Sequence, residues 1–329
     1  MVETKSAARA LWHIAKGRSV LSAESLPALQ PGEALVRTLF SGISRGTERL
    51  VFSGQVPETE FEAMRCPFQQ GRFPFPVKYG YCVVGEVEAG PPQWLGRKVF
   101  VLHPHQDRFV VPLAALNPLR ENLPPRRAIL AANMETALNG VWDSGAGPGD
   151  RIAVVGGGVV GLLVAFLCAG LPGAEVSLAD IAPERAAMAA SLGARFVDAA
   201  APGAALGGSD VVFHASASAA GLELALTSAG NEARVMEMSW YGAAPVAADL
   251  GGAFHSRRLQ LVSSQVGQIA ASRRPRWDYA RRMAKALELL EDSRLDGLIT
   301  ADIAFASLPV ALPAILAPGA PGLATCITY

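Results

Sequence analysis

One stretch restricts the fold of this chain more than any other. Residues 151–170 read RIAVVGGGVVGLLVAFLCAG, and no charge occurs from Ile152 to Gly173. A run of that length can cross a bilayer, and it contains the small-xxx-small spacing of paired membrane helices. Three consecutive glycines weaken any helix that passes through them, however. The preceding RIAVV is rich in β-branched residues that suit a strand. Strand, glycine turn, helix is therefore the expected structure, and a membrane span is not.

The sequence downstream repeats the pattern. Strands are expected at 151–155, 175–179, 210–214, 233–238 and 259–264, with helices at 159–171, 183–192 and 219–229. Strands separated by helices of this length build βαβ units and a parallel sheet covered on both faces. Within that frame Gly156-x-Gly158-x-x-Gly161 follows a strand and opens a helix. The first glycine permits the turn and the second lets the backbone approach a pyrophosphate. The third lets helix and strand pack closely, while the N–H groups at Val159 and Val160 and the helix dipole favour an anion. The next strand ends in Asp180, placed to accept from both ribose hydroxyls of an adenosine. The combination predicts dinucleotide binding, and the Asp180 carboxylate favours NAD over NADP because it repels an added phosphate. Arg185 keeps NADP open as the second choice. Ser216 in HASAS, Ser239 in MSWYG and Ser264 in SSQVG end later strands of the same series, the edge where such folds meet their nucleotide.

A chain of 329 residues exceeds one ordinary core, so two domains are expected. Residues 1–127 hold short extended runs punctuated by Gly, Pro and charged residues, as in a barrel-like β domain. Residues 57–74 are polar and rich in turn formers, a surface excursion. The parallel-sheet domain is assigned to 128–267. Residues 268–329 supply a helix starting near Pro275, with Trp277, Ala280, Leu287 and Leu290 at helical spacing, then a closing strand.

Lys+Arg and Asp+Glu both total 29, so the whole-molecule charge provides no pull toward nucleic acid or an anionic membrane. The expected partner is a small molecule. Four scattered cysteines without a C-x-x-C pair argue against a disulfide scaffold or zinc ribbon and suit a reducing compartment. The first residues lack the apolar core of a signal peptide, and a cytoplasmic location is expected.

Several segments together resemble the medium-chain dehydrogenase/reductase family, the zinc alcohol dehydrogenase superfamily. SGISRGTE resembles its GICGTD loop, YGYCVVGEV its GHExxGxV segment, and GRKVFV its GDRVxV strand; METALNGV is similar to its EPLAxAxxA helix. The resemblance implies an α/β chain with a GroES-like β-rich catalytic domain and a Rossmann-type doubly wound sheet. It also implies that the tail returns to the catalytic domain. A dimer or tetramer is expected, with hydride passed between NAD(P) and an alcohol or carbonyl in a cleft between domains. SGISRGTERLVFSGQVP and YGYCVVGEV further resemble the bacteriochlorophyllide a dehydrogenase subfamily, which oxidises a hydroxyethyl group on a tetrapyrrole.

The departures from the family fall at its metal ligands. Zinc relatives use a cysteine in the first loop, a histidine in the second and an acid or cysteine before the Rossmann domain. Here Ser44 or Arg45 occupies the first position, in a loop one residue longer than the family's. Tyr81 stands where histidine would, Cys82 where its glutamate neighbour would, and only Glu135 matches a ligand. One carboxylate does not hold zinc, so none is expected. HPHQD offers His103 and His105 as an alternative pair, but Pro104 between them suggests a loop rather than a ligating strand.

Without a metal, developing alkoxide charge needs another donor. Tyr81 is the first candidate and Thr47 the second, with Ser44 and Glu135 completing the catalytic set. Packing against the nicotinamide is the competing role for Tyr81. The arginines between Arg257 and Arg282 read as a solvated helix face, with receipt of an anionic substrate group as the alternative. Two other functions stay open at this point: a zinc-free quinone or enone reductase, and an NAD(H)-binding sensor without turnover.

Overall fold

The computed structural model describes residues 7–201 and 206–329. The expectation that no leader precedes the fold rests partly on the first six residues, which lie outside this range.

In chain order the first elements are β1 (Ala7–Ala15), β2 (Arg18–Ser25), β3 (Glu33–Gly42), α1 (Arg45–Phe52), β4 (Gln70–Gly71), β5 (Val77–Lys78) and β6 (Val83–Ala89). There follow β7 (Lys98–Val101), β8 (Arg108–Pro112), β9 (Asn117–Pro118), α2 (Pro125–Ala128) and α3 (Ala131–Ser144). The parallel region contains β10 (Arg151–Val155), α4 (Val159–Ala169), β11 (Glu175–Asp180), α5 (Ala186–Ser191), β12 (Arg195–Asp198) and β13 (Ser209–His214). It continues with α6 (Ala219–Ser228), β14 (Ala229–Glu237), α7 (Ala253–Ser256) and β15 (Gln260–Ser263). The chain ends with α8 (Tyr279–Leu289), β16 (Ile299–Ala304), α9 (Leu308–Ile315) and β17 (Ala324–Thr328).

Two compact units result. One comprises the chain up to Ala132 together with Met283–Tyr329, and the other is Asn133–Arg282. The first unit has two sheets, ordered β2-β1-β5-β4 and β16-β17-β3-β6-β7-β9, with β8 also paired to β3. The strands alternate as half-buried strands should: in β3 Ala34, Val36 and Thr38 point inward, and the residues between them are more open. Ala34, Val36, Val83, Val99, Val101 and Phe109 form its central cluster. Each large aliphatic side chain so buried contributes roughly 1.5–3 kcal/mol. The last strand, β17, pairs antiparallel with β3, which brings the C-terminal Tyr329 beside the middle of the chain's first third.

The second unit is one six-stranded sheet in the order β12-β11-β10-β13-β14-β15. Every neighbouring pair in it is parallel. The order reverses beside β10, the topological switch point at which open sheets of this kind bind ligands. β10 is buried from Ile152 to Val155, which explains its unbroken apolar run. Strand β12 does not appear among the expected strands. It has only four residues, Arg195 to Asp198, none of them fully buried, so its sequence carries no apolar run. The uncharged stretch after Arg151 is a strand, a glycine turn and an eleven-residue helix. Among the described residues no helix is long and apolar enough to cross a membrane.

Candidate functional site

The glycine turn joins β10 to α4 at the carboxyl edge of the parallel sheet. Gly156 has φ +109, and a Cβ there would lie 2.7 Å from the Ser216 nitrogen. A Cβ on Gly161 would lie 1.9 Å from the Gly156 carbonyl oxygen, so α4 presses directly on the turn. Gly158 differs from both, since nothing lies within 4 Å of the place its Cβ would take. It begins α4 without a side-chain cap, ahead of the first-turn residues Val159 and Val160. Two glycines thus shape the turn and the third leaves it open.

Asp180 closes the arrangement at the end of β11. Its Oδ2 accepts the Gly157 N–H at 2.5 Å and its Oδ1 the Ala182 N–H at 2.8 Å. The carboxylate is held at the tip of the turn, and each oxygen keeps a lone pair for a further donor.

The next two strand ends are tied to each other. His214 Nδ1 meets Glu237 Oε2 and its Nε2 meets Ser216 Oγ, both at 2.7 Å. Tyr241 donates to Glu237 at 3.0 Å, and Ser239 Oγ accepts the Ala217 N–H at 3.0 Å. The Glu237 carboxyl sits below its usual range: the His214 bond leads the effects that outweigh burial. Ser216 and Ser239 therefore share the sheet edge with Gly156. Ser264 lies further along that edge, where its hydroxyl donates to Asp143 at 2.7 Å.

A second cluster lies in the other unit. Helix α1 starts at Ser44, whose hydroxyl makes no cap to its own helix. The half-buried Tyr81 phenol lies near the Ser44 and Thr47 hydroxyls, whose influence on it is to lower its pKa. Burial is the largest influence on Tyr81 and pushes its pKa well up, so the hydroxyl keeps its proton. Neighbouring Cys82 is buried, and burial lifts its thiol far above the usual range. The extra residue of the loop, Arg45, is engaged elsewhere, with its guanidinium on the carbonyls of Ala320, Pro321 and Gly322.

Glu135 belongs to the second unit. Its carboxylate accepts from Arg282 Nε at 3.0 Å. The Arg282 guanidinium also donates to the Asn139 side chain and to the carbonyls of Val266 and Gln268. Arg282 is only 2% exposed, so the arginine cluster is not one solvated face. Arg257 spends its guanidinium on the Thr227 and Ala229 carbonyls, and Arg281 stacks on Trp277. Arg282→Ala would strand the buried Glu135 carboxylate and the Val266 and Gln268 carbonyls, while Asn139 would keep the Ala270 N–H. The variant is expected to lose about 3–5 kcal/mol in a urea melt, whereas Arg273→Ala should stay near wild type.

The two histidines of HPHQD diverge. His103 stacks on Phe109 with ring centroids 3.8 Å apart, and burial lowers its pKa to about 3. His105 turns the other way, to Glu48. Among the described residues no group of three or more His, Cys, Asp or Glu side chains is placed to hold a metal.

No family model matches the chain. Solved structures do. A putative zinc-binding dehydrogenase from Sinorhizobium meliloti, bound to NADP, aligns over 98% of this chain and 100% of its own with TM-score 0.77 and 19% identity. An alcohol dehydrogenase from Escherichia coli complexed with NADH aligns over 98% and 100%, with TM-score 0.78 and 16% identity. Alcohol dehydrogenase TADH from Thermus sp. ATN1 aligns over 97% and 99%, with TM-score 0.72 and 23% identity. The chain has the dehydrogenase fold.

Within that fold, Glu48, Ser41 and Tyr329, none of them a candidate from the sequence, are joined to Ser44 together with His105, considered there only as a metal ligand. Glu48 accepts the Ser44 N–H, His105 meets Glu48, and Ser41 links His105 to Tyr329. The signal available in the sequence was the acid four residues after Ser44, a spacing that lets a carboxylate fold back on a helix start.

Proposed function

We propose that this chain is a nicotinamide-linked oxidoreductase that moves hydride between NAD and an alcohol or carbonyl, without a catalytic zinc. The observation that carries the reading is the turn from Gly156 to Gly161. It is tight where packing demands glycine, open at Gly158, and bordered by the held carboxylate of Asp180. A pyrophosphate suits the open glycine and the uncapped start of α4. Asp180 would take the adenosine ribose hydroxyls, and its charge favours NAD over NADP.

Bound nicotinamide supplies the hydride acceptor or donor. The chain must then manage the proton and the charge on the substrate oxygen. Tyr81, kept protonated by burial, would donate to that oxygen, with the Thr47 and Ser44 hydroxyls completing the donor set. The donor set at the family's ligand positions does not fit zinc. Ser44 and Tyr81 offer hydroxyls, the Cys82 thiol is held protonated, and Glu135 is bonded to Arg282. The finer reading of the substrate, a secondary alcohol on a flat ring system such as a hydroxyethyl tetrapyrrole, rests on the two resembling motifs alone.

The test uses protein purified without a metal-affinity tag. Titration with NADH and NADPH should show tighter binding of NADH, and plasma mass spectrometry should find zinc far below one per chain. A panel of alcohols, including 1-phenylethanol and a hydroxyethyl tetrapyrrole, should yield NADH. Stoichiometric zinc would refute the metal-free site, and failure to bind either coenzyme would end the whole reading.

A further inference from the structure

The chemistry above does not use a buried chain of polar groups that runs from Tyr329 to the start of α1. Tyr329 and Ser41 hydroxyls are 2.9 Å apart, Ser41 Oγ and His105 Nδ1 2.8 Å, and His105 Nε2 and Glu48 Oε2 3.0 Å. The remaining Glu48 oxygen, Oε1, accepts the Ser44 N–H at 2.8 Å. Ser41, Glu48 and His105 are at most 1% exposed.

For an ionised Glu48 facing a neutral His105 ring, donor and acceptor rules give each proton one place. An ionised carboxylate only accepts, so His105 must carry its proton on Nε2. In the neutral ring Nδ1 is then an acceptor, which Ser41 satisfies by donating its hydroxyl. Ser41 Oγ in turn accepts from Tyr329. The hydroxyl pair thus selects the tautomer that faces Glu48, and Glu48 fixes the backbone of Ser44 at the helix start. A serine at this place normally caps its helix with its own hydroxyl. Here the carboxylate of Glu48 bonds the entry of the helix, and the Ser44 hydroxyl, free of any capping role, lies near Tyr81.

We propose that His105 is a positioning residue of the candidate active site: through Glu48 it holds Ser44 and Thr47 in register with the Tyr81 hydroxyl. The inference rests on the oxidoreductase reading above. It names a group that touches no substrate and yet sets the geometry of those that do. The competing account is a staple between β3 and the 102–107 loop, needed for stability only.

His105→Ala, His105→Gln and Tyr329→Phe separate the two. Three quantities are read: backbone amide exchange over residues 44–52, NADH affinity, and turnover on the best alcohol of the panel. His105→Ala should speed exchange over 44–52 by about tenfold and cut kcat about a hundredfold, with KM and NADH affinity within about twofold of wild type. His105→Gln, whose amide can still donate to Glu48, should restore most of both. Tyr329→Phe, a substitution that keeps the ring stacked on Phe305, should move both in the same direction by a smaller amount. Unchanged exchange, unchanged kcat with only a lower melting temperature, or no rescue by glutamine would each overturn the proposal. If His105→Ala does not fold, the glutamine and phenylalanine variants decide: glutamine must behave nearly as wild type and phenylalanine must not. A wild-type protein that turns over no alcohol ends the oxidoreductase reading, and this one with it. Turnover that is indifferent to all three variants ends this one alone.

Discussion

Gly158→Ala is expected to melt with the wild type and to bind NADH about a hundredfold more weakly, a loss of about 2.7 kcal/mol. The structure leaves open space around the position its methyl would take, and its φ of −72° is one any residue adopts. Nothing in the folded protein therefore resists the methyl. A pyrophosphate approaching the start of α4 would meet it. Gly161→Ala should behave in the opposite order. Its Cβ would lie 1.9 Å from the Gly156 carbonyl, a backbone atom that cannot rotate away. The strand and helix must part, and a loss of about 3 kcal/mol in stability should accompany the loss of binding. Thermal melts and NADH titrations of the two variants make the comparison. Equal NADH affinity in Gly158→Ala and wild type would move the coenzyme away from this turn.

The contrast between those glycines marks what the sequence makes legible. Local pattern was enough for the strand, turn and helix at 151–169, because one uninterrupted segment supplies every contact that defines them. It was enough for Asp180, whose place follows from the length of one helix and one strand. It failed for β12, whose short, half-exposed sequence has neither an apolar run nor clear alternation. It failed more instructively for Arg282, which looks like one surface cation among several. The acceptors that make its burial tolerable, Glu135 and Asn139, lie more than a hundred residues earlier. The Glu48–His105 pair is invisible for the same reason, since its partners are 57 residues apart and neither matches a ligand position of the family. Hydrogen bonds between distant segments of a core are specified by tertiary geometry, and sequence spacing carries no trace of them.

Tyr81→Phe should reduce turnover about 100- to 1000-fold while leaving NADH affinity within about twofold of wild type. The argument begins with charge. Hydride delivery to a carbonyl leaves an alkoxide, and in a partly dry site one lost donor to that oxygen costs about 3–4 kcal/mol. Tyr81 has the right proton state for the task, because burial pushes its pKa well above the ordinary 10.0. The Ser44 and Thr47 hydroxyls lie near its side chain, so the hydroxyl has company in which to lose and regain a proton. The sign of the pH dependence follows. A phenol with a raised pKa stays protonated below pH 10, so carbonyl reduction should show no loss of rate from Tyr81 across the neutral range. Removing the hydroxyl should lower the plateau without shifting its edges. Phenylalanine keeps the ring and its edge contact with Tyr79, whose centroid is 6.0 Å away. Packing is therefore preserved, and only the donor is lost. Steady-state kinetics with an NADH titration separates the roles: comparable losses in turnover and in coenzyme affinity would make Tyr81 a packing residue and leave Thr47 as the donor to test.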